Sequence, residues 1–336
     1  MISGMFDTDF RMQDIDKNGD PLVALNKAVD WEIFRPQLQV IRQKKRKSTA
    51  GRKPFDVVLM FKILILQSLY NLSDDATEFH IQDRLSFMRF LGLGLDSRIP
   101  DSKTIWLFRE DLAKHGLVKT LFEQFDAYLW EQGFRAEKGQ IVDASIIAAP
   151  RQRNTRKENR QIKEGDTPED WPENKRRQKD TDARWTKKNG ITHYGYKNHI
   201  SIDAKHKFVR NYDVTDASVH DSQVFEDLLD PLNSSGDVWA DSAYRSKEKI
   251  DHLESMNYRP HIQRKATRGK ALSEWEQQGN RTRARTRARV EHVFGVQAQR
   301  AGTLIVRTIG RVRAKVKIGL RNLSYNLDRY SKLSSA

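Results

Sequence analysis

The chain has 336 residues, enough for two domains that each bury a core of their own. Sixty lysines and arginines against 45 aspartates and glutamates give a formal net charge of +15, which favours a polyanionic partner, nucleic acid first and a membrane surface second. No cysteine is present, which excludes disulfides, zinc–thiolate sites and thiol nucleophiles.

Neither export nor membrane insertion is predicted. The longest apolar run, Val57 to Leu66, is too short to span a bilayer and favours a buried helix. The N-terminal residues lack the basic start and apolar core of a signal peptide. We therefore expect a soluble, cytoplasmic protein.

Residues 1–53 form an N-terminal segment that ends in a basic linker. The run Arg42–Pro54 suits contacts with phosphate groups, and an exposed linker without a partner is an equal alternative. On the first interpretation the candidate DNA contacts are Lys44, Lys45, Arg46, Lys47, Arg52 and Lys53.

Residues 54–135 predict a helical domain. Apolar residues recur at spacings of three and four from Phe55, and the polar stretch Asn71–Asp75 ends one helix and caps the next. Further helices are expected over about Asp75–Leu91, after Asp101, and over Leu117–Trp130. Helical periodicity reports burial and not partners, so the domain is either a helix-turn-helix DNA reader or a support for dimerisation.

A buried strand that carries a carboxylate follows. The stretch Gly139–Ala149 is rich in β-branched residues and has Asp143 near its centre. Burying an aspartate is costly unless a hydrogen bond, a cation or a metal compensates its charge, so Asp143 is a candidate ligand. The pattern returns at Asp237–Asp241, a short apolar strand that ends on a second carboxylate.

The remaining elements predict an α/β domain over residues 136–310. Its segment 151–189 is too charged to order itself alone and is expected to be a loop. After it we predict a hairpin over 194–215, a helix that follows Ser218–Ser222 and contains Val224 to Leu229, the Asp241 strand, a helix over 246–256, a strand over 258–262 and a helix that begins near Arg283. This order fits a ribonuclease-H-like fold, a mixed sheet flanked by helices, in which the ends of the first and fourth strands lie side by side. Residues 311–336 predict a C-terminal basic amphipathic helix.

Three acids, Asp143, Asp241 and Glu291, therefore come from two strands and a helix. Carboxylate oxygens suit hard divalent cations, and two such ions about 3.5–4 Å apart support in-line phosphoryl transfer. Simpler roles stay open for two of these acids. Asp241 could cap the turn that follows it, and Glu291 could pair with Arg287 four residues earlier on the helix.

Several motifs resemble those of the DDE transposases of bacterial insertion sequences, in particular the insertion-sequence-5 type within the insertion-sequence-4/5 superfamily. The resemblance covers nearly all of the chain after Gly51. The N-terminal motifs are Gly51–Phe55, Leu69–Asp75, Arg84–Leu93 and Ile99–Thr104. The catalytic motifs are Ile141–Ser145, Thr215–Ser222, Ala240–Tyr244 and Arg287–Phe294.

The resemblance implies catalytic, metal-binding roles for Asp143, Asp241 and Glu291, with Mg²⁺ or Mn²⁺ as cofactor. It implies a bacterial, nucleoid-associated DNA transposase that hydrolyses phosphodiesters at terminal inverted repeats and joins the freed 3′-hydroxyl to target DNA. Double-stranded DNA is the implied partner, and a homodimer or higher oligomer the implied synaptic complex. A transposase-derived DNA-binding repressor and a metal-dependent nuclease of the same fold are the alternatives.

The signature around the third acid is incomplete in this chain. Arg287 and Glu291 match it, whereas Ala284 and Ala298 stand where the related signature has Tyr and Lys. The residues that would replace these phosphate contacts are Arg285, Arg289 or Arg300. Further DNA contacts are expected from Tyr244, Arg245, His220 and Arg287.

Overall fold

The computed structural model describes residues 7–43, 53–188, 190–266, 269 and 271–335. The chain divides into two compact units, one of Met1–Ala127 with Leu320–Ala336 and one of Tyr128–Gly319. Five candidate DNA contacts lie outside the described residues, namely Lys44, Lys45, Arg46, Lys47 and Arg52.

The first unit is helical, as predicted. Its helices are α1 (Asp7–Lys17), α2 (Pro21–Ala28), α3 (Arg35–Gln39), α4 (Val57–Tyr70), α5 (Asp74–Asp83), α6 (Leu85–Leu91), α7 (Ser102–Lys114) and most of α8 (Leu117–Glu131). Asp56 caps the start of α4 by accepting two backbone hydrogen bonds at 2.9 and 3.1 Å, and Asn71 ends the helix in the left-handed conformation. The single helix expected over 75–91 is interrupted at Arg84, whose extended backbone separates α5 from α6.

Helix α4 runs through the core of the first unit, and most of its side chains are buried. The ring of Phe61 lies 4.8 Å from that of Phe34 and 6.4 Å from that of Trp31.

No single helix in the described ranges is long and apolar enough to cross a membrane. Helices α4 and α5 reach that length and composition only together, and they are bent by 102°.

The second unit contains a mixed sheet. Its strands are β1 (Gln140–Ala148), β2 (Arg184–Lys188), β3 (Ile191–Asp203), β4 (Val209–Asp216), β5 (Asp237–Ala240) and β6 (Arg259–Ile262). Among the residues described, these six strands follow the order β2-β3-β1-β5-β6, with β4 also paired to β3. Strands β1, β3 and β4 pair antiparallel, whereas β1, β5 and β6 pair parallel. The pairing of β1 with β5 confirms that the first and fourth predicted strands are neighbours.

The helices of the second unit depart from the prediction in two places. They are α9 (Arg156–Glu164), α10 (Glu173–Gln178), α11 (Lys247–Ser255), α12 (Glu274–Ala301) and the first part of α13 (Arg311–Ser334). Two short 3-10 turns, Asp221–Gln223 and Glu226–Leu228, stand where the helix was expected after Ser222. Helix α12 begins well before Arg283, because Ser273 and Glu276 form a capping box at its start.

The charged segment 151–189, expected to be a loop, contains α9, α10 and β2 within its described residues. Thr155 and Glu158 form a capping box at the start of α9. The same Glu158 accepts hydrogen bonds from Trp171 Nε1 at 2.7 Å and from Lys175 Nζ at 2.5 Å. Trp171 is only 4% exposed, so it packs on the protein body.

Candidate functional site

The strand register, continued past the end of β5, brings Asp241 next to Asp143, and the charge of Asp241 acts on Asp143. In the parallel pair of β1 and β5, Ile141 is aligned with Trp239, an offset of 98 residues. The difference 241 − 143 is also 98, so the same register aligns Asp143 with Asp241 just past the end of β5. Aligned residues of neighbouring strands point to the same face and lie about 5 Å apart.

The carboxyl group of Asp143 is buried, and the residue is only 9% exposed. Its Oδ1 accepts a hydrogen bond from the backbone N–H of Ala144 at 2.8 Å, and its Oδ2 accepts one from Arg287 Nη1 at 2.9 Å. Burial, with a smaller contribution from Asp241, raises the pKa of Asp143 to about 6 against the opposing effects of Ala144 and Arg287. The negative charge of Asp143 is therefore incompletely compensated, and a further cation would stabilise it.

Asp241 stands where β5 passes into the 3-10 turn Ser242–Tyr244. Its Oδ1 accepts a hydrogen bond from the backbone N–H of Ala243 at 2.8 Å, so the residue does cap this turn. No donor from the described part of the chain contacts Oδ2 of the half-buried side chain. Capping uses one carboxylate oxygen and leaves the other for a ligand.

Glu291 is held by Arg287 on the C-terminal half of α12. Val290 and Val293 are fully buried and fix the rotation of this helix. Arg287 Nη2 lies 3.1 Å from Glu291 Oε1, so the predicted salt bridge is present, and the side chain of Glu291 is 62% exposed. Arg287 thus bridges two of the three acids, since its other terminal nitrogen contacts Asp143.

In this structure the arrangement of the three acids meets only part of what a hard divalent cation requires of its ligands. Across the residues that the structure describes, no three His, Asp or Glu side chains are grouped to hold a metal ion. Asp143 and Asp241 offer adjacent oxygen donors, which hard cations prefer, and the charge of Asp143 lacks full compensation. Glu291 would complete the set only after leaving Arg287. The guanidinium of Arg287 supplies the positive charge at this position in the structure.

Asp221 and Lys197, which were not among the predicted site residues, support the turn that carries Asp241. The turn Asp221–Gln223 packs against Ser242–Tyr244. Lys197 Nζ, from β3, lies 2.8 Å from Asp221 Oδ1 and donates to a backbone carbonyl next to that turn at 2.7 Å. The sequence signal for Asp221 was the motif Thr215–Ser222, which contains it, whereas Lys197 stands among other polar residues of β3 and gave no separate signal.

Tyr244 is fully buried and packs against Phe225, with ring centroids 5.0 Å apart. Burial, followed by the negative charges of Asp221, Asp143 and Asp241, raises the pKa of the Tyr244 phenol well above its usual value. Its hydroxyl has no hydrogen-bond partner among the described residues. The predicted DNA contact needs an exposed ring, whereas in this structure the Tyr244 ring is part of the buried core around Phe225.

The other predicted DNA contacts lie at several places on the second unit, apart from Lys53 in the first. Arg245 donates to the carbonyl of Ile262 at 3.2 Å, and Arg289 donates to that of Ala204 at 2.6 Å. The remaining exposed residues are Lys53, His220 and Arg285. Arg300 belongs to α12, and its side chain lies outside the described part of the structure.

The second unit thus combines a mixed sheet, two neighbouring carboxylates and an arginine-rich helix, in a chain of strongly basic composition. Residues 135–327 match the family described as Transposase DDE domain, and residues 10–111 match the family described as Transposase domain (DUF772). The first match spans more than half of the chain. The chain therefore belongs to the DDE transposases of the insertion-sequence-4/5-like kind.

One solved structure is also similar to this chain, the cryo-EM structure of a piggyBac transposase synaptic complex with hairpin DNA. The two are 14% identical, and the similarity covers 94% of this chain and 76% of that chain at a TM-score of 0.47.

Proposed function

We propose that the protein is a transposase of the insertion-sequence-5 type that hydrolyses phosphodiesters at terminal inverted repeats and transfers the freed 3′-hydroxyl to target DNA. Asp143, Asp241 and Glu291 are the proposed catalytic and metal-binding residues. Mg²⁺ or Mn²⁺ is the proposed cofactor, which when bound supplies positive charge at the attacking and leaving oxygens of a phosphoryl transfer.

The alignment of Asp143 with Asp241 carries this proposal. It supports a ribonuclease-H-like catalytic domain over residues 136–310, in which the antiparallel strands β1, β3 and β4 are followed by the parallel strands β5 and β6. Both acids sit on strands or at a strand end, where the backbone is fixed by neighbouring strands, so little reorganisation is needed to present two carboxylate oxygens together.

Arg287 is proposed to act on the DNA phosphate. A guanidinium offers several N–H donors in a fixed fork that matches phosphate oxygens, and Arg287 Nε is buried without a hydrogen-bond partner among the described residues. Once Arg287 releases Asp143, its donors face the position where the two aligned acids present their oxygens. Neutralising Arg287 is therefore expected to impair joining more than general DNA affinity.

Double-stranded DNA, both the transposon ends and the target, is the proposed partner, in a dimer or higher oligomer. The net charge of +15 supports a polyanionic partner. Residues 54–135 are proposed as the DNA-binding or dimerisation domain, residues 1–53 as an N-terminal segment with a basic linker, and residues 311–336 as a C-terminal basic amphipathic helix. His220, Arg285, Arg289, Arg300 and Lys53 remain proposed DNA contacts.

The test is a cleavage and joining assay on labelled duplex DNA that carries the inverted repeats flanking the protein's own gene. Wild type, Asp241→Asn and the control Asp251→Asn, an exposed aspartate on α11, are compared with Mg²⁺, Mn²⁺ or EDTA. We expect metal-dependent nicks at the repeat boundary and joined products for wild type and the control, and neither for Asp241→Asn.

Each of the other possible outcomes of this assay would indicate a different function or a different site. Nicks without joined products would indicate the nuclease alternative, and binding without nicks would indicate the repressor alternative. Cleavage retained by Asp241→Asn would overturn the assignment of the acids.

A further inference from the structure

Three arginine side chains from three elements converge beside the N-terminal half of α12. Arg245, just after the turn 242–244, donates to the carbonyl of Ile262 at the end of β6, 3.2 Å away. Arg264 follows two residues later, and its backbone N–H and carbonyl are both held by the side chain of Asn280, at 2.9 and 2.8 Å. Arg283 lies one helical turn beyond Asn280, so it projects from the same face of α12.

The packing of each guanidinium is defined by close contacts. Arg264 Nη1 lies 2.8 Å from Glu276 Oε1, and its guanidinium lies 5.0 Å from the ring centroid of the exposed Trp275. Arg283 folds back along the helix over Gly279, where an added Cβ would lie only 2.9 Å from Arg283 Nη1. The glycine therefore makes room for the arginine.

The three guanidinium groups of this cluster carry more positive charge than the acidic side chains paired with them compensate. Glu276 pairs with Arg264, and within the described residues Arg245 and Arg283 form no ion pair. Burial, followed by the positive charges of Arg264 and Arg283, lowers the pKa of Arg245. The Nε atoms of Arg264 and Arg283 are buried and have no hydrogen-bond partner among the described residues. Buried donors of this kind are costly unless an acceptor is supplied from outside.

We infer that Arg245, Arg264 and Arg283 form a binding site for one phosphodiester of a DNA strand, separate from the three acids. Three guanidinium groups against one carboxylate leave two uncompensated positive charges, and phosphate oxygens accept several N–H donors at once. Arg283 precedes Arg287 by four residues, a rise of about 6 Å along the helix. The site therefore holds the strand one helical turn from the acids and fixes its position there. This inference rests on the proposed function, since the phosphate belongs to bound DNA.

The test measures binding of a fluorescent duplex that carries the inverted repeats, in EDTA so that no cleavage occurs, across a series of KCl concentrations. Each phosphate contact contributes about 0.9 to the slope of log K against log salt. We expect Arg283→Gln to lower that slope by about one, and Arg283→Lys, which keeps the charge, to retain it. The control is Arg281→Gln, an exposed arginine about 200° away around the same helix, which should leave the slope unchanged. Thermal unfolding of each variant establishes that it is folded.

A second arm places a single uncharged methylphosphonate at successive positions of one strand. We expect one linkage whose neutralisation weakens binding by wild type more than binding by Arg283→Gln, because the variant has already lost one of the three arginine contacts to it. Equal slopes for wild type and Arg283→Gln, or the absence of such a linkage, would overturn the site while leaving DNA binding and the proposed function intact. Failure of wild type to bind DNA at all would overturn both.

Discussion

Arg287 Nη1 lies 2.9 Å from Asp143 Oδ2, a contact that joins residues 144 positions apart in the sequence. Through its second terminal nitrogen the same guanidinium also reaches Glu291, at 3.1 Å. One arginine therefore neutralises part of the charge of two acids that are proposed to bind a metal. The contact connects α12 with β1. Its loss is expected to affect the stability of the protein, its affinity for metal ions and its catalytic activity differently.

The first prediction concerns stability without metal. Asp143 and Arg287 side chains are only 13% and 20% exposed, so removing the cation leaves a buried carboxylate without its partner. We expect Arg287→Gln to destabilise the protein in EDTA, and Asp143→Asn to remove most of that cost. A double-mutant cycle by urea unfolding should give a coupling energy of about 1–3 kcal/mol. Additive effects would show that the two side chains do not interact in solution.

The second prediction concerns metal affinity. Arg287 occupies one oxygen of Asp143 and places a positive charge where a divalent ion would bind. Wild type must break this charge-assisted hydrogen bond, of about 1.5–3 kcal/mol, before Mn²⁺ can bind, whereas Arg287→Gln has none to break. We therefore expect Arg287→Gln to bind Mn²⁺ roughly tenfold or more tightly than wild type. Electron paramagnetic resonance titration of free Mn²⁺ measures this directly, with Arg281→Gln as the control. Weaker Mn²⁺ binding by Arg287→Gln would mean that the arginine organises the acids for the ion instead of competing with it.

The third prediction separates the capping role of Asp241 from its proposed catalytic role. Asparagine can accept the hydrogen bond from Ala243 that aspartate accepts, whereas alanine cannot. We expect Asp241→Ala to lose about 1 kcal/mol of stability and Asp241→Asn to lose little, while both abolish end cleavage. Cleavage by Asp241→Asn at near wild-type rate would leave the residue only as a cap.

Several features of the second unit follow from the sequence because they depend on local patterns. The β-branched run around Asp143 predicts β1, and the apolar stretch before Asp241 predicts β5. The adjacency of these two strands follows from the predicted topology, and the observed register then aligns the two acids. Their catalytic roles remain predictions, because alignment alone does not demonstrate chemistry.

Other features depend on contacts between distant residues, which composition does not reveal. Within its described residues, the charged segment 151–189 contains α9 and α10. Trp171 and Lys175 both donate hydrogen bonds to Glu158 of α9, which holds this segment together. The arginine cluster needs the side chain of Asn280 to bring Arg264 onto α12, a contact between residues 16 positions apart with no pattern of its own. A helix was expected after Ser222 from apolar spacing, yet the chain there forms short turns, and Lys197 of β3 and Lys249 of α11 donate to backbone carbonyls of this region.

The last prediction concerns Lys62, a charged residue inside the apolar helix α4. Its Nζ donates to Asn26 Oδ1 at 2.8 Å and lies over the rings of Trp31 and Phe90, at 5.4 and 4.6 Å. Burial lowers the pKa of Lys62 from 10.5 to about 8. Between these two values the unfolded chain binds a proton that the folded protein has released, so stability rises with pH from about 8 to 10.5 and carries the full cost of the buried charge below pH 8.

Lys62→Met should therefore stabilise the protein at pH 7 and remove this part of the pH dependence. The difference of about 2.5 pKa units at 1.36 kcal/mol each gives about 3 kcal/mol, from which the lost partner of Asn26 subtracts about 1. Urea unfolding at pH 7 to 10 measures the effect, with the exposed Lys27→Met as the matched control. A gain that shrinks as pH rises is the expected result, because wild type recovers stability as Lys62 loses its proton. A gain independent of pH would show that packing, and not the buried charge, sets the cost at this position.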